Sequence, residues 1–276
     1  MTKKKTLSTQ KFRMGWLPDL PDTRDFLYAA PLKVSRSLPT KTDLRSGCPT
    51  VYNQGELGSC TANALGAAFQ FGQKKQTKKT FTPSRLFLYY NERVMINTVH
   101  SDSGAFIRDG IKSLNKQGIC PEVKWTYDET NTDGAKFTQK PPKTCYTEAL
   151  SNQILSYQRL TNNLNTIQGC LSEGFPFVFG FTVYESFMTS TVRGSGIMPM
   201  PKPTEKVKGG HAVMAVGYDD AKQAILVRNS WGDGWGQAGH FWMPYAYILN
   251  SNLCDDFWTI RLVEAPKAKA KVKVKK

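Results

Sequence analysis

Cys60 is the residue of this 276-residue chain whose type and position best suit covalent chemistry. It follows two glycines, Gly55 and Gly58, that permit a tight turn, and it precedes residues 61–71, which are predicted to be a helix. A cysteine at a helix N-terminus meets the positive end of the helix dipole, which favours the nucleophilic thiolate. An isolated cysteine is more often a small buried apolar residue. A catalytic role for Cys60 therefore needs partners elsewhere in the chain.

Two residues far downstream are candidate partners. His211 opens an apolar run that is typical of a strand, and Asn229 follows a second such run at residues 225–228. The short acidic turn between the runs, residues 219–222, predicts an antiparallel hairpin. His211 and Asn229 would then lie at the same end of adjacent strands. Together with Cys60 they would form a Cys-His-Asn group, in which a base activates the nucleophile and a third residue orients the base.

Three sequence motifs resemble those of the papain-like cysteine peptidases. They are Gln-Gly-x-x-Gly-Ser-Cys ending at Cys60, His-Ala-Val-x-x-Val-Gly-Tyr beginning at His211, and Asn-Ser-Trp-Gly-x-x-Trp-Gly beginning at Asn229. Their order and spacing match the family over residues 38–263. The resemblance implies a cysteine endopeptidase of the α+β class with two lobes. The left lobe would be mainly helical, the right lobe an antiparallel β sheet or barrel, and the active-site cleft would lie between them.

The resemblance also implies a mechanism. Cys60 would attack a peptide carbonyl as a thiolate paired with protonated His211, which lowers the thiol pKa, and an acyl-thioester would follow. His211 would protonate the leaving amine and then activate water. Asn229 would hold the imidazole through its side-chain oxygen, and Trp231 would shelter that hydrogen bond from water. The side-chain amide of Gln54 and the backbone N–H of Cys60 would form the oxyanion hole.

Three further residues are expected to contact the substrate. Gly104 stands where the family has a pair of glycines, and Gly210 directly precedes His211. Asp255 falls where relatives place the floor of their main specificity pocket, so it would attract a basic side chain two positions before the scissile bond. We expect no metal or cofactor, because the chain has no Cys-x-x-Cys pair, no His-Glu-x-x-His motif and no phosphate-binding loop.

The chain divides into three parts. Residues 1–37 are punctuated by prolines and are predicted to be extended. They form either a strap packed on the body or a short pro-segment that crosses the cleft and is cut before Leu38 or Thr40. Residues 38–263 form the two-lobed peptidase domain. Residues 264–276 are rich in lysine and are expected to be a disordered tail, which either keeps the protein soluble or contacts nucleic acid or another polyanion.

Apolar runs and helix start and stop signals predict the elements of the two lobes. Residues 61–71, 84–95, 106–116 and 167–174 are predicted to be helices, and residues 175–183 and 239–243 strands. Residues 194–198 are expected to be a turn and a short strand, and residues 136–144 a surface connection between the lobes.

Composition limits the class of protein. With 40% hydrophobic residues the chain can bury a sizeable core, and no apolar run approaches the roughly 18 residues of a membrane span. We expect no secretory signal and therefore an intracellular protein, in the host cytoplasm or the virion if the source is viral. We also expect a monomer. The formal net charge is +15, much of it in the tail. Of the six cysteines most are expected to be reduced, although a pair such as Cys120 and Cys145 could form a disulfide.

Two other functions fit the same motifs. A papain-like acyltransferase would use the same thioester but pass the acyl group to an acceptor other than water. A catalytically silent scaffold would only bind its partners, but it would have no chemical need for an intact Cys60, His211, Asn229 and Gln54.

Overall fold

The structure, a computed structural model, describes residues 12–31, 33–34, 37–76 and 79–264. Nearly all of the predicted lysine-rich tail lies outside these residues. The described part has a layer of helices packed against one end and one face of an antiparallel sheet. It is the predicted α+β arrangement of a helical lobe and a sheet lobe.

The helical layer is formed by α1 (Cys60–Lys75), α2 (Arg85–Met95), α3 (Ile107–Lys116) and α4 (Lys143–Ala149). The three longer helices lie within a few residues of their predicted bounds. Ser84 begins α2, because its hydroxyl accepts a hydrogen bond from the backbone N–H of Phe87 at 3.2 Å. Gly118 follows α3 with φ of 73°, which a glycine adopts without strain, and so ends that helix where predicted.

Within the described residues the sheet lobe contains seven strands: six lie in the spatial order β4, β9, β5, β6, β7, β8, and the seventh, β2, pairs with the far end of β6. All of these pairs are antiparallel. The bounds are β2 Lys41–Asp43, β4 Ile154–Arg159, β5 Phe177–Tyr184, β6 Val207–Asp219, β7 Ala224–Arg228, β8 His240–Pro244 and β9 Cys254–Val263. The predicted hairpin is β6 and β7, whose register pairs Met214 with Arg228.

Both faces of the central strands are covered, which explains why their sequences are almost continuously apolar. In β6, Ala212, Met214 and Val216 face the core that includes α1, whereas Val213 and Ala215 face a second core. The second core lies under α5 (Leu164–Ser172), α6 (Ser190–Ser195) and α7 (Tyr245–Ile248). The site therefore rests on a strand fixed from both sides.

Two short strands complete the described fold. β1 (Trp16–Leu17) pairs in parallel with β3 (Ala105–Phe106), which directly precedes α3. The predicted strand within residues 194–198 is largely wrong: these residues are the end of α6, Gly196 in the left-handed region and a single bridge from Ile197 to Trp242. The connection at residues 136–144 is less exposed than predicted, because Phe137 is buried in a short 3-10 helix, Lys136–Thr138.

All six cysteines are buried free thiols. Cys120 and Cys145 lie close enough for a hydrogen bond between their side chains, but they are not joined. No helix within the described ranges is long and apolar enough to cross a membrane.

Candidate active site

Cys60 is the first residue of α1 and is fully buried. The preceding residue, Ser59, gives no side-chain cap to the helix, because its hydroxyl is bonded to that of Tyr127 at 2.6 Å. Backbone N–H groups of Ala212 and Gly15 hydrogen-bond the Cys60 thiol instead. Since Ala212 follows His211 directly, this contact brings the histidine strand against the cysteine.

His211 and Asn229 are joined by a hydrogen bond of defined direction. His211 Nε2 lies 2.8 Å from Asn229 Oδ1, and the same oxygen accepts the backbone N–H of Ser230 at 2.8 Å. The hydrogen bond from the Ser230 N–H identifies the Asn229 atom that faces the His211 ring as the amide oxygen, which can only accept. His211 Nε2 therefore carries the proton and donates it to this oxygen. His211 Nδ1 is buried and has no hydrogen-bond partner among the described residues, so its lone pair is available to accept a proton.

Trp231 covers this pair. Its ring is stacked on the His211 ring at a centroid distance of 4.8 Å with 23° between the planes. Trp231 itself is almost fully buried. Its indole thus covers the side of the His211 ring beside the hydrogen bond to Asn229, and its role in sheltering that bond from water stays a prediction.

The side chain of Gln54 is oriented by a contact with the same loop. Its Oε1 accepts the hydroxyl of Ser230 at 2.6 Å, so Nε2 faces the cleft. Nε2 donates to the carbonyls of Leu57 at 2.8 Å and Arg13 at 3.1 Å. The backbone N–H of Gln54 also bonds the carbonyl of Ser230. The candidate oxyanion donor is therefore tied to the loop that follows Asn229.

The protonation states of Cys60 and His211 follow from their burial. Burial raises the pKa of the Cys60 thiol to about 12, and burial lowers the pKa of His211 to about 4 despite its hydrogen bond to Asn229. With the cleft closed, desolvation disfavours both charged forms. The ion pair of Cys60 and His211 stays a prediction for the open cleft.

The cause of this burial is the chain's own N-terminal segment. Residues 12–19, here called the cleft strap, cross directly over the site. Phe12 stacks on Trp231 with centroids 4.3 Å apart, and the Arg13 carbonyl occupies the Gln54 donor. Gly15 lies over Cys60.

Gly15 fits between the two walls of the cleft because it has no side chain. A Cβ at this position would lie 1.8 Å from the carbonyl oxygen of Gly58. On the other side, the Gly15 carbonyl accepts the N–H of Ala105 at 2.7 Å, and a Cβ on Gly104 would lie 2.1 Å from the same oxygen. The predicted substrate contact Gly104 therefore touches the strap.

Trp16 fills a pocket between the lobes. A Cβ on Gly180 would lie 1.9 Å from its indole, and one on Gly210 would lie 2.5 Å from its carbonyl oxygen. At the end of the pocket, Trp16 Nε1 donates to Asp256 Oδ2 at 3.0 Å. The second predicted substrate contact, Gly210, thus also touches the strap.

The predicted pocket acid, Asp255, lies outside this contact. Its side chain is half exposed and pairs with Arg159 at 3.0 Å. The neighbouring Asp256 is fully buried, adopts φ of 60°, and accepts both the Trp16 indole and the backbone N–H of Asp19 at 2.7 Å. This backbone turn points the carboxylate of Asp256, rather than that of Asp255, at the strap.

Sequence reasoning missed three residues of the cleft: Trp16, Asp102 and Asp256. The acid pair at 255–256 and the aromatic at 16 are visible in the sequence, but which acid faces inward depends on a local left-handed backbone. Asp102 directly precedes the segment of Gly104, and its carboxylate accepts the N–H of Gly58, two residues before Cys60. Only the tertiary fold brings these positions together.

Three comparisons bear on this geometry. The family model described as papain family cysteine protease matches residues 38–255. An uncharacterized peptidase C1-like protein, L477, of Acanthamoeba polyphaga mimivirus is 40% identical over 94% of this chain and 90% of its own length. The crystal structure of xylellain, a cysteine protease from Xylella fastidiosa, aligns with 45% identity and a TM-score of 0.87 over 94% of this chain and all of that chain. Procathepsin B S9 from Trypanosoma congolense, at 16% identity and a TM-score of 0.72, shares the fold.

Proposed function

Because this chain belongs to the papain family of cysteine proteases, we propose that it hydrolyses polypeptides through Cys60, His211 and Asn229. We propose in addition that the cleft strap holds the enzyme latent. The observation that carries the catalytic assignment is the fixed direction of the hydrogen bond from His211 Nε2 to Asn229 Oδ1. It leaves Nδ1 unprotonated on the strand that contacts Cys60.

The proposed reaction begins when the strap leaves and water enters the cleft. His211 Nδ1 takes the proton of Cys60, since rehydration removes the penalty that burial places on the ion pair. The thiolate attacks the substrate carbonyl, and Gln54 Nε2 and the Cys60 N–H stabilise the negative oxygen. His211 passes its proton to the leaving amine, and an acyl-thioester remains. His211 then activates water, which releases the acid and regenerates the thiol.

The strap runs in the direction opposite to a substrate. The leaving amine must meet His211, so the part of a substrate that follows the scissile bond extends toward Trp231. The strap places its N-terminal residue, Phe12, on Trp231 and runs away from it toward Asp19. The Arg13 carbonyl at Gln54 is therefore followed by residues that lead away from His211. If the bond after that carbonyl were attacked, His211 could not protonate the leaving amine. This polarity explains how the strap can occupy the site without being cleaved there.

The test uses the full-length chain and one added methyl group. Gly15→Ala would place a Cβ against the Gly58 carbonyl, so the strap should lift while the body of the enzyme stays folded. We expect Gly15→Ala to hydrolyse fluorogenic peptides at least ten-fold faster than the unchanged chain under reducing conditions. Adding Cys60→Ala to Gly15→Ala should abolish this activity.

Product mass separates the proposed reaction from acyl transfer, because hydrolysis yields free acids whereas transfer yields a ligated peptide. Circular dichroism of each variant controls for folding. A folded Gly15→Ala chain whose activity does not depend on Cys60 would contradict the catalytic assignment. A parent chain as active as Gly15→Ala would contradict the latent state.

A further inference from the structure

We propose that Arg193 selects substrates that carry a carboxylate within the first two residues after the scissile bond. The carboxylate is either an acidic side chain or the C-terminal carboxylate of a peptide that ends there. This inference rests on the proposed peptidase function and names a substrate class for the same site. It concerns the side of the cleft that holds the leaving amine, where the sequence predicted no charged contact.

A cavity of about 270 Å³ lies beside Trp231. Besides Trp231, its lining consists of one residue of the strap and five of the body: Phe12, Phe187, Met188, Ser190, Arg193 and Trp235. The leaving amine meets His211, whose ring is stacked on Trp231, so the residues after the scissile bond extend toward this cavity. Departure of the strap removes Phe12 and leaves the rest of the lining in place.

The backbone of Arg193 is fixed against the loop that carries Trp231. Arg193 lies in α6, and the hydroxyl of Thr189 caps this helix by accepting the backbone N–H of Val192 at 3.3 Å. The Val192 side chain is buried in the second core. The Arg193 carbonyl accepts the N–H of Gly236 at 2.7 Å. These contacts belong to the body of the enzyme, so Arg193 stays at the cavity when the strap departs, whichever way a peptide runs through the cleft.

The guanidinium of Arg193 stacks on an aromatic ring and keeps its N–H groups for another partner. Its central carbon lies 4.8 Å from the ring centroid of Phe12. Within the described ranges, the side chain of Arg193 forms no ion pair and no hydrogen bond. Arg85, Arg108 and Arg159, by contrast, each pair with a carboxylate. The edge of a guanidinium that stacks through its face remains free, and this edge matches the two oxygens of a carboxylate.

The acids nearest to Arg193 in sequence have other partners. Glu185 pairs with Lys208 at 3.0 Å, and Glu205 accepts the backbone N–H of Ser186 at 2.9 Å. Aromatic side chains form most of the cavity lining and offer no competing charge. An anion that binds the Arg193 guanidinium at this cavity must therefore come from the substrate.

The experiment compares matched peptides in the full-length Gly15→Ala chain under reducing conditions. In the first set, glutamate or its neutral isostere glutamine stands at the first or the second position after the scissile bond, and the C-terminus is amidated. In the second set, the peptide ends at the second position as a free acid or as an amide. We expect kcat/KM for the acid to exceed that for its neutral partner by about 10-fold in at least one set, the effect of one charge-assisted hydrogen bond. The set that shows the preference identifies the source of the carboxylate.

Two substitutions of Arg193 test whether its guanidinium causes the preference. Arg193→Gln should bring the ratio of acid to neutral peptide to near one. Arg193→Lys keeps the charge but loses the planar fork, so it should leave an intermediate ratio. Both peptides of a pair compete with the same strap and meet the same enzyme preparation. Their ratio therefore does not depend on the fraction of the enzyme that is open or folded.

Lys222→Gln is the matched control. Lys222 also places a cation over an aromatic ring, that of Trp242, but it lies in the turn between β6 and β7, at the opposite end of the hairpin from His211 and Asn229. Its ratio should equal that of the Gly15→Ala chain. Equal rates for acid and neutral peptides in both sets, or an unchanged preference in Arg193→Gln, would overturn the inference while leaving the peptidase assignment intact. Failure to cleave any peptide of either set would count against the proposed function itself.

Discussion

At the scale of single residues, the direction of amide groups decides what this site can do. The backbone N–H of Ser230 fixes Asn229 Oδ1, the same oxygen that accepts the hydrogen bond from His211. The hydroxyl of Ser230 fixes Gln54 Oε1, so the opposite end of that amide, Nε2, can act on a substrate carbonyl. The sequence predicted the identities of these residues because their types and spacing carry the chemistry. It could not predict the pKa of Cys60, which depends on burial by a segment distant in sequence.

Gln54 should act on the rate of the chemical step. Removing one oxyanion donor costs roughly 3 kcal/mol of transition-state stabilisation, or about 100-fold in rate. We therefore expect Gln54→Ala in the Gly15→Ala chain to lower kcat by about this factor with little change in KM. Steady-state kinetics with a fluorogenic peptide would measure both.

The rate of Cys60 alkylation is the control for this variant. Gln54 also bonds Ser230, so a disturbed loop would change thiol reactivity as well as kcat. An unaltered alkylation rate with a lowered kcat supports the oxyanion role. A raised KM with an unaltered kcat would argue that Gln54 only binds the substrate.

At the scale of elements, the cleft strap is anchored by two buried carboxyl groups. Asp19 accepts the backbone N–H of Arg108 at 3.2 Å and the Trp258 indole at 3.2 Å, while its own N–H bonds Asp256. Burial and the charge of Asp256 raise the pKa of Asp19 to about 7. The pKa of Asp256 is also raised, first by burial and then by Asp255. Extended backbone was predictable here from the prolines, but this anchor was not.

The anchor should make strap release depend on pH. When the strap opens, Asp19 meets water and its pKa returns to about 3.9. The closed state then binds more protons than the open state between about pH 4 and pH 7. Closure is therefore favoured at the acidic end and weakens as the pH rises through this window. The cations that face the pair, Arg108 and Arg159, stay charged throughout and reduce the effect without reversing it.

Fluorine NMR can measure the open fraction directly. Cys60→Ala chains carrying 5-fluorotryptophan would be titrated from pH 4 to pH 8, with the Trp16 signal assigned by a Trp16→Phe variant. We expect the open signal to grow toward pH 7, and Asp19→Asn to flatten this growth. If the open fraction changed with pH in the same way with and without the Asp19→Asn substitution, Asp19 would be excluded as the responsible group.

At the scale of the whole molecule, the strap and the residues after it join the two lobes. Arg108 of α3 pairs with Asp25 at 2.6 Å, and Arg159 of β4 pairs with the same carboxylate at 3.1 Å. The lobes themselves were predictable, because α2 and α3 carry helix start and stop signals and β5 is a short, nearly continuous apolar run. Residues 190–195 were missed, since a helix of under two turns gives too little periodicity to recognise.

Stability and activity should change in opposite directions when the strap is weakened. Trp16 is only 7% exposed, so Trp16→Ala should weaken strap docking by about 3 kcal/mol. We expect a lower thermal midpoint, by several degrees, together with a higher peptidase rate. Leu155→Ala is the control, because Leu155 lies on β4 and is 53% exposed. Scanning calorimetry and peptide assays on both variants test this. A lowered midpoint without a gain in rate would separate the strap from latency.

The strap belongs to the same polypeptide as the sheet lobe, so diluting the protein does not lower the concentration of the strap at the cleft. An inhibitor on the same chain acts at an effective concentration set by its tether, on the order of millimolar for a short one, and this does not fall when the protein is diluted. Latency of the uncut chain should thus be independent of protein concentration. Once the tether is cut, the strap becomes a dissociable ligand, and the same dilution would release the enzyme.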